Sequence, residues 1–214
     1  MLLSKAKHII ASQLERVGTE YTSGSDTFNG VISKANVSYD KPSHEYTILV
    51  SYDASINDGK TISGEGNYFV PTKIDRPNTS GGSEQYTRGY LQLANASGDI
   101  SLYINPANAS KDVWGEPTGT EGTDWSWVIQ KTGIHACFER MEMRPRNTSD
   151  NAIGQIEEAE YLVTVPWVDL NASFTPIAEC RFTDRNGDDW KVLDIDNKTY
   201  INQSYIMRVV TDDR

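Results

Sequence analysis

Near the C-terminus, the dipeptide Asn186-Gly187 separates two short apolar runs, and it constrains the fold more than any other feature of the sequence. Both residues tolerate positive φ angles, so the pair predicts a tight type I′ hairpin turn. In the run after the turn, a side-chain period of two places Trp190 and Val192 on one strand face. The same period, continued along the strand, adds Asp194 to that face. We therefore predict a β-hairpin whose Trp190 face is buried.

The runs beside this turn belong to a larger set of short segments rich in β-branched and aromatic residues, which favour strands. They are residues 31–39, 46–51, 60–62, 68–70 (ended by Pro71), 90–93, 100–104, 125–130, 134–143, 161–168, 180–183, 190–195 and 205–210. Asp58-Gly59 is a second hairpin signal, and segments 90–93 and 100–104 are expected to form a strand pair. With 37% hydrophobic and 23% charged residues, the composition fits a folded, rather polar globular protein. The predicted fold class is mainly β, an antiparallel β-barrel or sandwich.

One helix is predicted, over residues 4–17. Ser4 can cap its N-terminus, and Gly18 follows as its stop. An apolar stripe recurs along it at steps of three and four residues: Leu3, Ala6, Ile10, Leu14 and Val17. We expect this helix to pack on the core; docking on a neighbouring subunit is the alternative.

Three polar segments without periodicity are predicted to be long loops, at residues 73–88, 106–124 and 144–159. Loops of this length inside a compact domain usually carry function or are disordered. The segment 106–124 is also a candidate domain boundary, but neither side of it contains an obvious complete core. We therefore expect a single β-rich domain over residues 1–214, with an N-terminal helix.

No metal site is predicted. His8, His44 and His135 stand alone, with no histidine or cysteine at the spacing of zinc ligands. The segment 184–188 begins like a calcium loop, but its glycine is at the fourth position instead of the sixth. Ile195 stands at the twelfth position, where a calcium loop needs a bidentate glutamate.

No catalytic constellation or cofactor motif is predicted either. The chain has no Gly-x-Ser-x-Gly elbow, no phosphate-binding Walker loop and no Gly-x-Gly-x-x-Gly after a strand. His135 and Cys137 share one strand face but are about 7 Å apart, too far for a hydrogen-bonded nucleophile and base. We expect a protein that is not an enzyme, with no catalytic, cofactor-binding or metal-binding residues.

The net charge of −10 is unfavourable for binding nucleic-acid phosphates, so sequence-specific binding of nucleic acid is not expected. No apolar run is long enough to span a membrane, and the first fourteen residues lack the apolar core of a signal peptide. We expect a protein made and used without secretion. Cys137 and Cys180 are expected to be two buried thiols, because a chain of this size does not need a disulfide for stability, with a single disulfide as the alternative.

The tryptophans are the remaining candidates for a binding role. Trp127, Trp167 and Trp190 lie in predicted strands, and we expect them to be core or subunit-interface anchors. Trp114 lies in a predicted loop and is the one expected to contact a partner. Together with the many tyrosines, the tryptophans could instead form a sugar-binding platform.

The order of elements at both ends of the chain resembles a known family. At the C-terminal end, an extended run is followed by a proline-containing loop, a strand running into Asp-x-Asn-Gly, then Trp-x-Val-x-x-Ile, a polar loop and a final strand. Over roughly the last third of the chain, this order resembles the head-closure, or stopper, proteins of tailed bacteriophages. The helix followed by VGTEYTSGSDTFNGVISK resembles the start of the same family.

This resemblance implies a structural virion protein of the phage neck, a head–tail connector of the stopper or adaptor kind. Copies would form a homo-oligomeric ring that joins or closes the head at the tail and lets DNA pass. The expected partners are the portal, adaptor or tail proteins, with assembly in the host cytoplasm. The chain is longer than the usual stopper protein, so another tail protein such as a tail terminator is a close alternative. A carbohydrate-binding β-sandwich module is the alternative from a different class, and a small hydrolase is a third.

Overall fold

The computed structural model describes residues 2–34, 45–54, 56–76, 86–104, 126–140, 160–167, 169 and 180–212. These residues contain one helix and twelve strands. The elements are α1 (Leu2–Val17), β1 (Thr19–Ser23), β2 (Asp26–Lys34), β3 (Glu45–Ser51), β4 (Ile62–Gly64), β5 (Asn67–Asp75), β6 (Tyr86–Leu93), β7 (Ala96–Ile104), β8 (Ser126–Arg140), β9 (Tyr161–Pro166), β10 (Cys180–Asp184), β11 (Asp189–Asp196) and β12 (Ser204–Thr211).

The strands close into two antiparallel barrels of six strands each. Barrel 1 has the order β1-β2-β3-β6-β5-β4 and closes by pairing β4 with β1. Barrel 2 has the order β10-β11-β12-β9-β8-β7 and closes by pairing β7 with β10. Closure gives every described strand of each sheet a neighbouring strand on both sides. The prediction of a mainly β protein with barrel architecture and an N-terminal helix is confirmed.

Each barrel encloses its own apolar core. The core of barrel 1 consists of Tyr21, Phe28, Ile48, Val50, Ile56, Ile62, Phe69 and Leu91. The core of barrel 2 consists of Ile100, Ile134, Ala136, Val163, Val165, Cys180, Phe182, Val192, Tyr205, Met207 and Val209. A single domain over residues 1–214 stays a prediction, although the described strands separate into two barrels.

The hairpin at Asn186-Gly187 is confirmed as β10 and β11, but the predicted turn type is wrong. Gly187 has φ +87°, whereas Asn186 is not among the described residues with positive φ. The Gly187 N–H donates to the Asp184 carbonyl and the Asp184 N–H to the Asp188 carbonyl, both at 3.0 Å. These bonds close a three-residue loop, a type I turn followed by a left-handed glycine. The Asp184 carboxylate accepts the N–H groups of Asn186 and Asp188, which favours this loop over a type I′ turn.

A bulge in β11 explains why Asp194 does not lie on the Trp190 face as predicted. Val192 pairs with Val209 and Asp194 pairs with Arg208, so Leu193 is an extra residue. The insertion shifts the alternation by one position. Trp190 and Ile195 therefore pack against the core of barrel 2, while Asp194 is exposed.

Two predicted strand pairings are wrong because segments that are close in sequence pair with other strands and not with each other. Segments 90–93 and 100–104 lie in β6 and β7, but β6 pairs with β3 and β5 and β7 pairs with β8 and β10. Residues 94 and 95 instead link the two barrels. Gly59 lies in a turn, with φ +72°, but the segment that contains this turn connects β3 to β4, which do not pair. Residues 126–130 and 134–140 of the two strands predicted at 125–130 and 134–143 belong to one long strand, β8.

The predicted loop at 73–88 is too long at both ends. Strand β5 continues through Pro71, where the register shifts, and reaches Asp75, while β6 begins at Tyr86. A bulge is a position where a strand tolerates proline, since the ladder is already interrupted there. Residues 77–85 of this loop, and all of 106–124 and 144–159, lie outside the described residues.

The predicted helix is confirmed, but it begins at Leu2, so Ser4 lies inside it and is not its N-cap. Leu14 is buried and Ile10 is half-buried as expected, but Val17 is 64% exposed and so is not part of the packed stripe. Gly18 follows as predicted, and its N–H donates to the Leu14 carbonyl at 2.8 Å. Its φ is not positive; glycine is needed because a Cβ there would collide with that same carbonyl oxygen.

Candidate functional site and interaction surface

The two barrels meet where β5 of barrel 1 contacts β8, β9 and β12 of barrel 2. Buried polar groups cross this junction. The Ser204 hydroxyl donates to the Pro71 carbonyl, and the Gly59 N–H donates to Gln203 Oε1 at 3.2 Å. Asp169 accepts the Thr61 hydroxyl at 2.7 Å. Because these groups find their partners on the other barrel, the bonds fix how the barrels sit against each other.

A pair of stacked rings lies at the same junction. The Tyr68 ring of β5 and the His135 ring of β8 have centroids 3.6 Å apart and an interplanar angle of 10°. One cavity of about 300 Å³ beside the stack is also lined by Asp184 and Arg185. A second, of about 270 Å³, is also lined by Lys131. The stack therefore separates two polar cavities between the barrels.

His135 is held in its neutral form by this setting. Burial lowers its pKa from the ordinary value of 6.5, and the nearby positive charge of Arg185 lowers it further. The carboxylate of Asp169 acts in the opposite direction. The lowered pKa favours the uncharged imidazole, so His135 contributes to the junction through the stacking of its ring on Tyr68.

The cysteines are buried thiols, in agreement with the first of the two predicted states. Cys180 belongs to the core of barrel 2. Burial, together with the charge of Glu139, raises the pKa of the Cys137 thiol to about 12. Cys137 is therefore protonated at neutral pH and is not an activated nucleophile.

An exposed aromatic patch, defined here as Tyr103, Trp127 and Ile129, lies on the outer face of β7 and β8. Tyr103 pairs with Trp127 across the two strands, and their ring centroids are 5.2 Å apart. Tyr103 is 49% exposed and Ile129 is 57% exposed. Leu102, which precedes Tyr103 in β7, faces the opposite side of the strand and packs against the core of barrel 2, as strand alternation requires.

A largely buried arginine packs against the Trp127 ring of the patch. The Arg181 guanidinium lies 4.0 Å from the centre of the Trp127 ring. It makes ion pairs of 2.9 Å with Asp189 and 3.0 Å with Asp212, and the Arg181 side chain is only 9% exposed. Such a cation–π contact with a fixed guanidinium holds the indole in one orientation. The arginine thus restrains the Trp127 side chain of the patch.

The structure separates the strand tryptophans that the sequence placed together. Trp167 stacks on Tyr205 at 4.9 Å, and Trp190 meets Phe138 edge to face at 5.7 Å; both pack against the core of barrel 2. Trp127 alone among these three belongs to an exposed patch. Arg181 was missed at the sequence level, although a charged residue between Cys180 and Phe182 is a signal for the outer face of the strand. Trp114 lies outside the described residues.

Within the described residues, no group of three or more histidine, cysteine, aspartate or glutamate side chains could hold a metal ion. The Asp184 carboxylate of the calcium-like segment accepts N–H groups of its own turn. His44 lies outside the described residues. In the same part of the chain, no helix has the length and apolar character needed to cross a membrane.

The described residues form two packed β-barrels, and barrel 2 carries the aromatic patch. No family model matches the chain, and neither a curated protein nor a solved structure was found to be similar to it.

Proposed function

We propose that this chain is a structural virion protein of a tailed-phage neck, whose copies form a closed ring at the head–tail joint. The observation that carries the proposal is the aromatic patch. The sequence resemblance to head-closure proteins supports the phage neck as the location. The resembling residues form α1, β1 and β2 at one end of the chain and β9 to β12 at the other.

The architecture restricts how copies can join. Both barrels are closed, which favours contacts between subunits through side chains over the addition of strands to a sheet edge. Tryptophan, tyrosine and arginine are the residues that most often dominate binding energy at protein interfaces, and all three occur together at the patch. Because Arg181 already fixes Trp127, little side-chain entropy is lost there on association.

The charge of the chain supports a role in which DNA passes without being held. A protein that binds DNA tightly neutralises phosphates with lysine and arginine, and this chain has a net charge of −10. An acidic wall repels the duplex and lets it slide. Specificity then has to come from contacts between proteins.

The carbohydrate-binding alternative has less support from the aromatic residues. A sugar platform needs exposed ring faces, and Trp167 and Trp190 pack against the core of barrel 2. The guanidinium of Arg181 lies over the Trp127 ring. A tail terminator, by contrast, is another ring-forming neck or tail protein and would use the same patch.

The test removes the apolar side chains of the patch without disturbing the core. The double variant Tyr103→Ser, Ile129→Ser should fold as the parent does but lose ring formation, as measured by native mass spectrometry. It should also reduce the yield of infectious, tail-bearing particles when it replaces the parent during infection. Ile201→Ser is the matched control, since Ile201 is 64% exposed and lies outside the patch. Unchanged assembly of the double variant would remove the patch from the interface.

A further inference from the structure

The cavity of about 300 Å³ beside the Tyr68–His135 stack is lined by an arginine whose charge is not paired. Arg185 lies in the loop between β10 and β11, and we call this space the Arg185 cavity. Within the described residues, the Arg185 guanidinium makes neither an ion pair nor a hydrogen bond. Its charge acts inside the cavity, because it lowers the pKa of His135, which also lines it. The cavity therefore offers an unpaired cation to a ligand.

A largely buried serine supplies a second polar group to the same cavity. Ser97 is 5% exposed, and its hydroxyl makes no hydrogen bond to any described residue. Because Ile100 of the same strand belongs to the core of barrel 2, strand alternation directs Ser97 to the outer side, where the cavity lies. The Arg185 N–H donates to the Ser97 carbonyl at 3.1 Å, so the two residues are neighbours. The Ser97 hydroxyl is therefore available to a ligand that also meets Arg185.

The charges that line the cavity favour a ligand with a single negative charge. Asp184 is a lining residue, but one oxygen of its carboxylate accepts the N–H groups of Asn186 and Asp188, at 2.8 and 3.1 Å. The lowered pKa of His135 favours its uncharged form. One guanidinium therefore remains to balance the charge of the ligand. A carboxylate has one negative charge and two coplanar oxygens, which match the planar fork of an arginine.

We propose that the Arg185 cavity binds a carboxylate, which accepts two N–H bonds from Arg185 and the hydroxyl of Ser97. A volume of about 300 Å³ lies at the lower end of the range of ligand pockets, so the ligand is compact. The carboxylate belongs either to a free small acid or to an acidic side chain of a neighbouring copy. Both sources present the same chemistry to the cavity. The site does not depend on the proposed ring.

The ring of His135 reports on occupancy, and acetate is the probe. A carboxylate beside Arg185 offsets the positive charge that lowers the pKa of His135, so saturating sodium acetate should raise that pKa. Sodium chloride at equal ionic strength is the reference, and NMR of the histidine rings is the measurement. The other charged and titratable groups that line the two cavities stay the same in both salts: Tyr68, Lys131, Asp169 and Asp184. The exposed His8 on α1 is the internal control, and its signals should not respond to acetate.

Three variants assign the binding to the named groups. Arg185→Gln and Ser97→Ala should each raise the dissociation constant of acetate by about tenfold, because each removes a hydrogen bond to a charged ligand. Arg208→Gln is the matched control, since Arg208 is an exposed arginine of barrel 2 that pairs with Asp194, and it should bind acetate as the parent does. Inorganic phosphate, titrated in the same way, should bind more weakly than acetate.

The contrary outcomes separate this site from the proposed function. An absent response of His135 to acetate, or equal affinities of Arg185→Gln and the parent, would overturn the site. Tighter binding of phosphate would overturn the choice of a carboxylate. Native mass spectrometry then identifies the source: loss of rings in Arg185→Gln assigns the carboxylate to a neighbouring copy, and rings like those of the parent assign it to a free acid. A parent that binds acetate but forms no ring, alone or on isolated necks, would overturn the proposed function and leave the site intact.

Discussion

The ring of Tyr68 in barrel 1 lies parallel to the ring of His135 in barrel 2, with centroids 3.6 Å apart. Around this stack, the short link between the barrels is bonded to both of them. The Ala94 N–H donates to the Tyr68 carbonyl at 2.8 Å, and Asn95 exchanges two side-chain hydrogen bonds with the backbone of Phe138. The stack and the link together make the junction a fixed joint.

The first prediction concerns the pH dependence of this joint. The pKa of His135 in the folded protein lies below its ordinary value of 6.5, chiefly through burial and secondly through Arg185. Between these two pKa values the unfolded chain binds more protons than the folded one, so stability falls as pH drops through that window. The melting temperature should therefore decrease below pH 6.5, and less so in His135→Gln. The carboxylate of Asp169, which raises the pKa of His135, is present in both the parent and the variant. Equal slopes for parent and variant would contradict this assignment.

The second prediction concerns Arg181, the arginine that packs against the Trp127 ring of the patch. Arg181→Met removes the ion pair that Arg181 makes with the Asp212 carboxylate, whose side chain is 2% exposed. Removing one partner of a buried ion pair typically costs about 3 kcal/mol or more. Chemical denaturation should show a loss of this order. Arg208→Met is the control, because Arg208 pairs with Asp194 at an exposed site, 3.6 Å apart. Equal stability of both variants would mean that Arg181 does not hold the patch.

The third prediction distinguishes the two possible turns at the β10–β11 hairpin. Gly187→Val forces a β-branched residue into φ +87° and should cost about 1–3 kcal/mol of unfolding free energy. A Cβ at this position meets nothing within 4 Å, so the cost is that of the backbone alone. Asn186→Ala should cost less, since Asn186 does not need positive φ in this loop. Comparable losses for both variants, measured by thermal melting, would favour the type I′ turn.

The fourth prediction concerns the thiols. With the pKa of Cys137 raised to about 12 by burial and by Glu139, its thiolate is scarce at neutral pH. A thiol reagent should react slowly with the native protein and modify both Cys137 and Cys180 after denaturation without reductant. Protection that persists in denaturant and disappears with reductant would demonstrate a disulfide. Rapid reaction of the native protein would contradict the burial of both side chains.

Local signals in the sequence were enough to predict most of the strands, the hairpin and the helix, but not β1. Asn186-Gly187 marks a turn in either loop geometry, so the sequence located the hairpin without deciding its type. The extra residue Leu193 looks like any strand residue, and only its partner strand shows it to be a bulge. Segments 90–93 and 100–104 are close in sequence, but barrel closure gives each of them other partners.

The junction and the patch could not be predicted because both arise from contacts across long sequence separations. Tyr68 and His135 meet only when two finished barrels pack together. Trp127 resembles Trp190 in its sequence setting, and the strand phase that turns it outward depends on register shifts between β7 and β8. Glycine at position 133, with φ +66°, contributes to the irregular path of β8.

The most direct test of the proposed function is the position of this protein in the particle. Antibodies to the purified chain, carrying gold labels, can be imaged by electron microscopy on phage particles assembled with it. The account predicts labels at the joint between head and tail, and an averaged density there that has ring symmetry and accommodates several copies of the two-barrel fold. Particles without the protein, or labels only at the tail tip or on the head shell, would contradict it.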